Sequence, residues 1–131
     1  MRITARGAIV SAALVTFITV LPVIPILSQQ PTFRNAPVSA TAAKNPYAGN
    51  ATAASAGKDI YAKSCTQCHG KNREGMGPAP PLDSEKVRSA NSGELFWFIT
   101  NGNPSSGMPA WPNLSKQQRW QVVAFLQSAA K

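Results

Sequence analysis

The sequence contains little of three residue types on which whole classes of proteins depend. Its 131 residues include two cysteines, one histidine and five acidic side chains. Two cysteines cannot build the disulfide framework of small cysteine-rich domains, because such a framework needs several well-separated pairs. A single histidine excludes any site that takes two histidines from the same chain. No segment has a convincing strand pattern, so we expect the folded part to be helical.

Basic side chains outnumber acidic ones by thirteen to five, which gives a formal net charge of +8. Residues 55–131 contain nine of the basic and all five of the acidic side chains. This excess is too small and too scattered for nucleic-acid binding. We expect an ordinary solvated surface with at most a weak preference for acidic partners. The scattered basic residues are Lys63, Lys71, Arg73, Lys86, Arg88 and Lys116.

The amino-terminal region, residues 1–27, has the pattern of an export segment. Arg2 and Arg6 precede an uncharged, mostly apolar run over residues 8–27. Twenty residues make a helix of about 30 Å, enough to cross the hydrocarbon core of a membrane. The run is also compatible with a secretory signal peptide, although no small-residue cleavage site follows it directly. We therefore expect a signal peptide or an uncleaved membrane anchor, with the rest of the chain outside the cytoplasm.

The next stretch, residues 28–54, is rich in Pro, Ala, Ser and Thr and has little to bury. Such a composition predicts an extended or disordered linker. If the apolar run stays in place as an anchor, the linker would tether the following domain to the membrane. The remaining residues, 55–131, form a domain so small that it needs additional stabilisation from a covalent link or a bound cofactor.

The domain is predicted to contain four helices separated by Gly- and Pro-rich loops. Asn91 or Ser92 is expected to cap the third helix at its start, and Gly102 to end it. The last helix begins with a capping box formed by Ser115 and Gln118. The helices are predicted over residues 54–65, 84–90, 93–101 and 115–128.

Both cysteines belong to the motif Cys65-Thr66-Gln67-Cys68-His69. The pattern C-x-x-C-H is typical of the attachment site of a c-type haem. Two thiols three positions apart on a helical turn can each add to one vinyl group of the same porphyrin. The imidazole that follows is then held beneath the iron as an axial ligand. The sequence therefore predicts one covalently bound haem c, attached through Cys65 and Cys68 and ligated by His69.

The second axial ligand is predicted to be a methionine, because His69 is the chain's one histidine and a thioether is the natural alternative. Met76 lies seven residues beyond His69 on the same loop, too close to reach the opposite face of the porphyrin. Met108 follows an intervening helix and stands between Gly107 and Pro109. We therefore expect Met108 to ligate the iron and Met76 to fill space.

Five segments together resemble the class I monohaem cytochromes c, in the order in which that family has them. The resemblance implies a small all-α bundle around one haem, in which the first and last helices cross at a close contact. It also implies that Gly57 leaves room for the crossing and that Tyr61 and Phe125 fill it. The segments are residues 57–61 (GKDIY), 65–70 (CTQCHG), 80–82 (PPL), 107–111 (GMPAW) and 120–126 (WQVVAFL).

The resemblance also assigns roles around the haem. In the family, a backbone carbonyl in the Pro-rich loop accepts a hydrogen bond from the ligand imidazole, and Pro80 is the residue that matches. Such a bond orients the ring and tunes the iron. Trp97 and Trp111 either line the haem, reach a propionate or pack in the core, and the sequence does not choose between these roles.

The function predicted from these features is one-electron transfer between redox proteins, without enzymatic activity. The protein would be a carrier in the bacterial periplasm, free or tethered to the inner membrane. Alternatively, it would be the haem subunit of an exported dehydrogenase or oxidase complex. An open-site haem peroxidase or sensor would require Met108 to serve in packing alone. A thioredoxin-like C-x-x-C protein would leave His69 and Met108 without a role. A zinc site would have only three of its four ligands.

Overall fold

The structure, a computed structural model, describes residues 36–128, and the predicted export segment lies outside this range. Five α-helices form in the described part of the chain, together with two short 3-10 turns at Val38–Ala42 and Pro104–Ser106. Between residues 36 and 128 there is no β-strand, and the extended pairing consists of two isolated bridges. The all-α prediction is therefore confirmed. The helices are α1 (Ala51–Ser64), α2 (Thr66–His69), α3 (Glu85–Arg88), α4 (Ser92–Asn101) and α5 (Lys116–Gln127).

The starts of α4 and α5 are fixed by the caps that the sequence predicts. The side chain of Asn91 accepts a hydrogen bond from the N–H of Gly93 at 2.9 Å. Ser115 and Gln118 form a complete capping box, because each side chain accepts from the backbone N–H of the other residue. These bonds satisfy N–H groups that have no partner within the helix. The starts of both helices are therefore set by hydrogen bonds between residues two or three positions apart.

The first helix begins three residues earlier than predicted. Asn50 precedes it in an extended conformation, and its side chain accepts from the N–H of Ala53 at 2.9 Å. The sequence interpretation placed this residue inside the linker and so did not consider it as a cap. The helix ends at Ser64, and Cys65 is the cap residue between it and the short helix α2.

Helices α1 and α5 cross closely, as the family resemblance implies. A Cβ atom at Gly57 would lie 2.0 Å from the backbone oxygen of Gln121, so only glycine fits at this point of the crossing. Beside it, the ring of Tyr61 is 2% exposed and lies 5.3 Å from the ring of Phe125. The expected roles of these three residues in the crossing are confirmed. The core around them comprises Tyr61, Val87, Leu95, Ile99, Trp120, Val122, Val123 and Leu126.

Residues 36–50 differ from the predicted disordered linker. The side chain of Asn45 is 7% exposed and donates from Nδ2 to the Trp120 carbonyl of α5 at 3.1 Å. Four residues earlier in this segment, the carbonyl of Thr41 accepts a hydrogen bond from Asn91 Nδ2 at 3.1 Å. The composition suggested nothing to bury, but asparagine side chains can bind backbone groups and so order a polar segment. Residues 36–50, hereafter the N-terminal segment, therefore pack against the helices.

Candidate haem site

The motif lies on α2, immediately after the close contact between α1 and α5. The N–H of His69 donates to the Cys65 carbonyl at 2.9 Å, which closes a helical turn around the two cysteines. Both thiols are free rather than joined in a disulfide, with Cys68 exposed and Cys65 half-buried. The two free sulfurs and the imidazole thus stand at positions 65, 68 and 69 of a single helical turn.

The imidazole of His69 is oriented by a backbone carbonyl. Its Nδ1 lies 2.9 Å from the carbonyl oxygen of Pro80. A carbonyl oxygen can only accept a hydrogen bond, so Nδ1 carries the proton and Nε2 keeps its lone pair. Histidines that bind metals commonly donate their other ring N–H in this way, which fixes the tautomer and makes the ligand more basic.

The loop that follows α2 is held at its start by Tyr61. The Tyr61 hydroxyl donates to the carbonyl of Gly70 at 2.8 Å, within the buried part of the protein. The N–H of Gly75 donates to the carbonyl of His69 at 2.9 Å. Burial raises the pKa of Tyr61 well above its ordinary value, with a smaller contribution from Cys65, so the phenol remains a neutral donor. The backbone immediately after His69 is therefore anchored to the core through Gly70.

Arg73, in the same loop, is not the solvated surface residue that the sequence predicts. It is 6% exposed, and its φ of 68° is the one positive value at a non-glycine position in the described chain. The sequence shows that position 73 is basic, but its charge says nothing about whether the side chain is buried. Its position in a Gly- and Pro-rich loop just after the motif is the one local signal that sets it apart.

Met108 lies in the loop after α4, and its backbone pairs with that of Asn103, two residues beyond the end of the helix. Its N–H donates to the carbonyl of Asn103 at 3.1 Å, and its carbonyl accepts from the N–H of Asn103 at 2.9 Å. The chain turns sharply at Gly102, where a Cβ would lie 2.6 Å from the Met108 oxygen and from Ala110 N. The thioether residue is half-buried, whereas Met76 on the other loop is 55% exposed.

Of the two tryptophans considered for the haem site, one lies in α4 and the other in this loop. Trp97 is half-buried in α4, with its ring edge-on to Phe98 at 5.2 Å. Trp111 is also half-buried, packs against the core, and donates its N–H to the Ile99 carbonyl at 3.2 Å. Core packing is thus an observed role of Trp111, and contact of either ring with a haem stays a prediction.

The chemistry of the thiols disfavours the redox-exchange alternative. Burial, with a smaller contribution from Cys68, raises the pKa of the Cys65 thiol to about 11. Thiols that exchange disulfides have lowered pKa values, because the thiolate is the nucleophile. The described residues 36–128 also contain no βαβ unit of the kind found in thioredoxin-like proteins. Between residues 36 and 128, no three His, Cys, Asp or Glu side chains come together as metal ligands.

The residues present fit a covalently bound haem. Two free thiols stand at the spacing of the attachment motif, and the Pro80 carbonyl leaves Nε2 as the nitrogen of His69 that is able to bind iron. A second loop holds a half-buried thioether at Met108. Nitrogen and thioether sulfur are the donor pair of His/Met-ligated cytochromes c.

Comparisons with known proteins agree with this chemistry. Residues 52–126, more than half of the chain, match the family described as cytochrome c oxidase, cbb3-type, subunit III. The chain is 32% identical to the cbb3-type cytochrome c oxidase subunit CcoP of Azospirillum brasilense, over 51% of this chain and 25% of that protein. It therefore spans about a quarter of the length of this curated relative.

A solved structure is similar over much of the same region. The crystal structure of cytochrome cL from the marine methylotroph Methylophaga aminisulfidivorans superposes with a TM-score of 0.54 at 30% identity. The match covers 63% of this chain and 57% of the other. The predicted resemblance to monohaem cytochromes c is confirmed, and so is haem c as the cofactor. The chain therefore belongs to the c-type cytochrome family described as cytochrome c oxidase, cbb3-type, subunit III, and its cofactor is a covalently bound haem c.

Proposed function

We propose that the chain is a one-electron carrier whose haem iron is ligated by His69 and Met108, and whose thioether bonds are made by Cys65 and Cys68. The observation that carries the proposal is the bond between His69 Nδ1 and Pro80 O. It orients the imidazole and leaves Nε2 as the donor. The bound haem supplies a reversible Fe(II)/Fe(III) couple, and axial ligation by the Met108 thioether raises the reduction potential of that couple.

The second ligand follows from how the Met108 loop is held. Asn103 binds both the N–H and the C=O of Met108, and the N–H of Trp111 donates to the Ile99 carbonyl of α4, so the backbone around the sulfur-bearing residue is held in place. A ligand on a fixed backbone changes position little between oxidation states, which suits an electron carrier. With both axial positions filled, the iron offers no site to a substrate, and we propose that the protein is a carrier rather than an enzyme.

Replacement of Met108 by alanine tests this ligation. We expect the weak long-wavelength Met-to-iron charge-transfer band to disappear, the midpoint potential to fall, and the ferrous protein to bind carbon monoxide rapidly. Met76→Ala is the matched control, because Met76 is 55% exposed and its loss should leave all three properties unchanged. A Met108→Ala protein with the original band and no carbon monoxide binding would contradict the proposal.

The same measurement tests the alternative of an open-site peroxidase or sensor. In that case the unsubstituted ferrous protein should already bind carbon monoxide rapidly, and Met108→Ala should not change the binding. The half-buried position of Met108 in a loop pinned to α4 favours the closed site instead.

The electron donors and acceptors are proposed to be other redox proteins of a respiratory chain. Support comes from the relative named as a subunit of a cbb3-type cytochrome c oxidase. This favours a second form of the proposal, in which the chain is itself a haem subunit of an oxidase complex. Purification of the tagged chain from native membranes in mild detergent distinguishes the two, because a subunit should bring cytochrome c oxidase activity with it and a free carrier should not.

Docking is proposed to use the surface around the motif. Lys63 and Lys71 are both exposed near α2 and would favour partners with acidic patches. Interactions between exposed charges are screened by salt, so reduction by such a partner should slow as ionic strength rises.

We also propose that the chain acts outside the cytoplasm, in the periplasm of a bacterium, with residues 1–27 as a cleaved signal peptide or an inner-membrane anchor. The basic start and the apolar run that follows support export. Among residues 36–128, no helix is long and apolar enough to span a membrane. Carbonate extraction of membranes, with amino-terminal sequencing of the mature protein, tests both alternatives.

A further inference from the structure

The hydrogen bond between His69 and Pro80 lies where solvent reaches it. Pro80 is exposed and His69 is half-buried. Water competes for both partners of such a bond, so the bond keeps its geometry only if the backbone on each side is fixed. Tyr61 fixes the chain next to His69 by its hydrogen bond to Gly70. The segment that carries Pro80 needs a separate anchor.

The main chain of Arg73 is that anchor. Pro80 and Pro81 have no N–H, so the first donor beyond them that can hold the segment is the N–H of Leu82. It donates to the carbonyl of Arg73 at 2.7 Å, and the N–H of Asp83 donates to the same oxygen at 3.3 Å. The position of the Pro80 carbonyl therefore depends on the position of Arg73.

The side chain of Arg73 in turn ties the loop to α5. Nη1 donates to the carbonyl of Phe125 at 3.2 Å, in the last turn of the helix. The guanidinium carbon lies 4.7 Å from the centre of the Phe125 ring. A cation is favoured both at the carboxyl end of a helix and over an aromatic face. The loop is thus attached to the same helix that packs against α1.

The backbone conformation does not by itself call for arginine. A φ of 68° is strained for a residue with a side chain and free of strain for glycine. Burial of a guanidinium adds a further cost, which its hydrogen bond and its contact with the ring offset. The arginine side chain therefore contributes something that glycine at this position would lack, namely the link to α5.

We propose that Arg73 is a positioning residue for the axial ligand, which holds the Pro80 carbonyl against Nδ1 of His69 and so sets the potential of the haem. The inference rests on the ligation by His69 proposed above. A strong bond from Nδ1–H to a carbonyl makes the imidazole more basic and favours the ferric iron. Loosening of the loop weakens that bond and raises the midpoint potential.

The test compares Arg73→Gly and Arg73→Lys in the haem-loaded full-length protein. Arg73→Gly keeps the backbone conformation and removes the link to α5. We expect it to raise the midpoint potential by up to 59 mV, which corresponds to a tenfold shift of a one-electron redox equilibrium. Exchange of the His69 Nδ1 proton with solvent, measured by NMR, should become at least tenfold faster. Arg73→Lys keeps a cation and should restore part of both properties.

Arg119→Ala is the matched control. Arg119 also lies over an aromatic ring, 5.5 Å from the centre of Phe96, but at the other end of α5. Its loss should leave both the potential and the proton exchange unchanged, whatever it does to stability.

The possible results separate this inference from the proposed ligation. If the His69 ring protons of the unsubstituted protein carry no haem-induced shift, the ligation fails and the inference with it. If they are shifted, and neither Arg73 variant changes the potential or the exchange rate, Arg73 has a purely structural role and the inference alone is overturned. Should Arg73→Gly fail to fold, the same two readouts on Arg73→Lys decide the question.

Discussion

The buried hydroxyl of Tyr61 leads to a prediction in which the size of a stability difference depends on pH. Tyr61→Phe keeps the ring that packs against Phe125 and removes the 2.8 Å hydrogen bond to the Gly70 carbonyl. Loss of one partner in a buried hydrogen bond costs about 1–2 kcal/mol of unfolding free energy. The Gly70 carbonyl keeps a longer bond of 3.3 Å from the N–H of Arg73, which favours the lower part of this range.

The pH dependence follows from the raised pKa of the folded phenol. In the unfolded chain Tyr61 ionises near pH 10, whereas in the folded protein it stays neutral. A raised folded pKa contributes stability that is fully present below the unfolded pKa and is lost as the pH rises. The unsubstituted protein therefore loses about 1.4 kcal/mol between pH 8 and pH 11 that Tyr61→Phe does not lose. The two proteins should approach equal stability near pH 11.

Urea unfolding of the haem-loaded proteins at pH 7, 9, 10 and 11, followed by circular dichroism, measures this difference. Tyr47→Phe, at the chain's other tyrosine, is the control, because its ring is half-buried outside the helix crossing. We expect a change below about 0.5 kcal/mol for the control. A constant gap between the unsubstituted protein and Tyr61→Phe from pH 7 to pH 11 would refute the reasoning, because it would mean that the phenol ionises equally in both states.

Two further substitutions test the packing around the site. Gly57→Ala would place a Cβ 2.0 Å from the Gln121 oxygen, so we expect a loss of about 1–3 kcal/mol in urea unfolding. At an unobstructed helix position the same exchange is stabilising, and a stabilised variant would show that the helices do not cross so closely. Asn45→Ala removes the buried bond to an α5 carbonyl and should cost about 1–3 kcal/mol. The exposed Asn72→Ala should change stability by less than about 0.5 kcal/mol, and equal effects of the two would mean that the N-terminal segment does not pack in solution.

The features that were predictable from the sequence are those encoded over a few neighbouring residues. The C-x-x-C-H motif and the capping box at Ser115 depend on spacing alone, and the structure has the helix starts where the caps predict them. The roles of Gly57 and Pro80 came from the family resemblance. The close crossing is confirmed at Gly57, and the Pro80 carbonyl lies within hydrogen-bond distance of His69.

The features that escaped prediction depend on contacts between residues distant in sequence. Arg73 is buried because it reaches Phe125, 52 positions further along the chain. Asn45 orders a polar segment because it reaches Trp120, 75 positions away. Composition describes such residues as solvated, because no local pattern reveals which remote backbone group a polar side chain will meet.

The packed N-terminal segment changes the distance over which an anchored domain could search for partners. In the anchored form proposed above, the chain between the apolar run and the folded domain shortens from residues 28–54 to residues 28–35. Whatever its conformation, a chain of eight residues extends no further than about 28 Å, against about 95 Å for the longer stretch of 27 residues. The volume available to the domain shrinks by the cube of this ratio, and its local concentration near the membrane rises roughly 40-fold. An ordered polar segment would then confine electron transfer to partners that lie immediately beside the anchor.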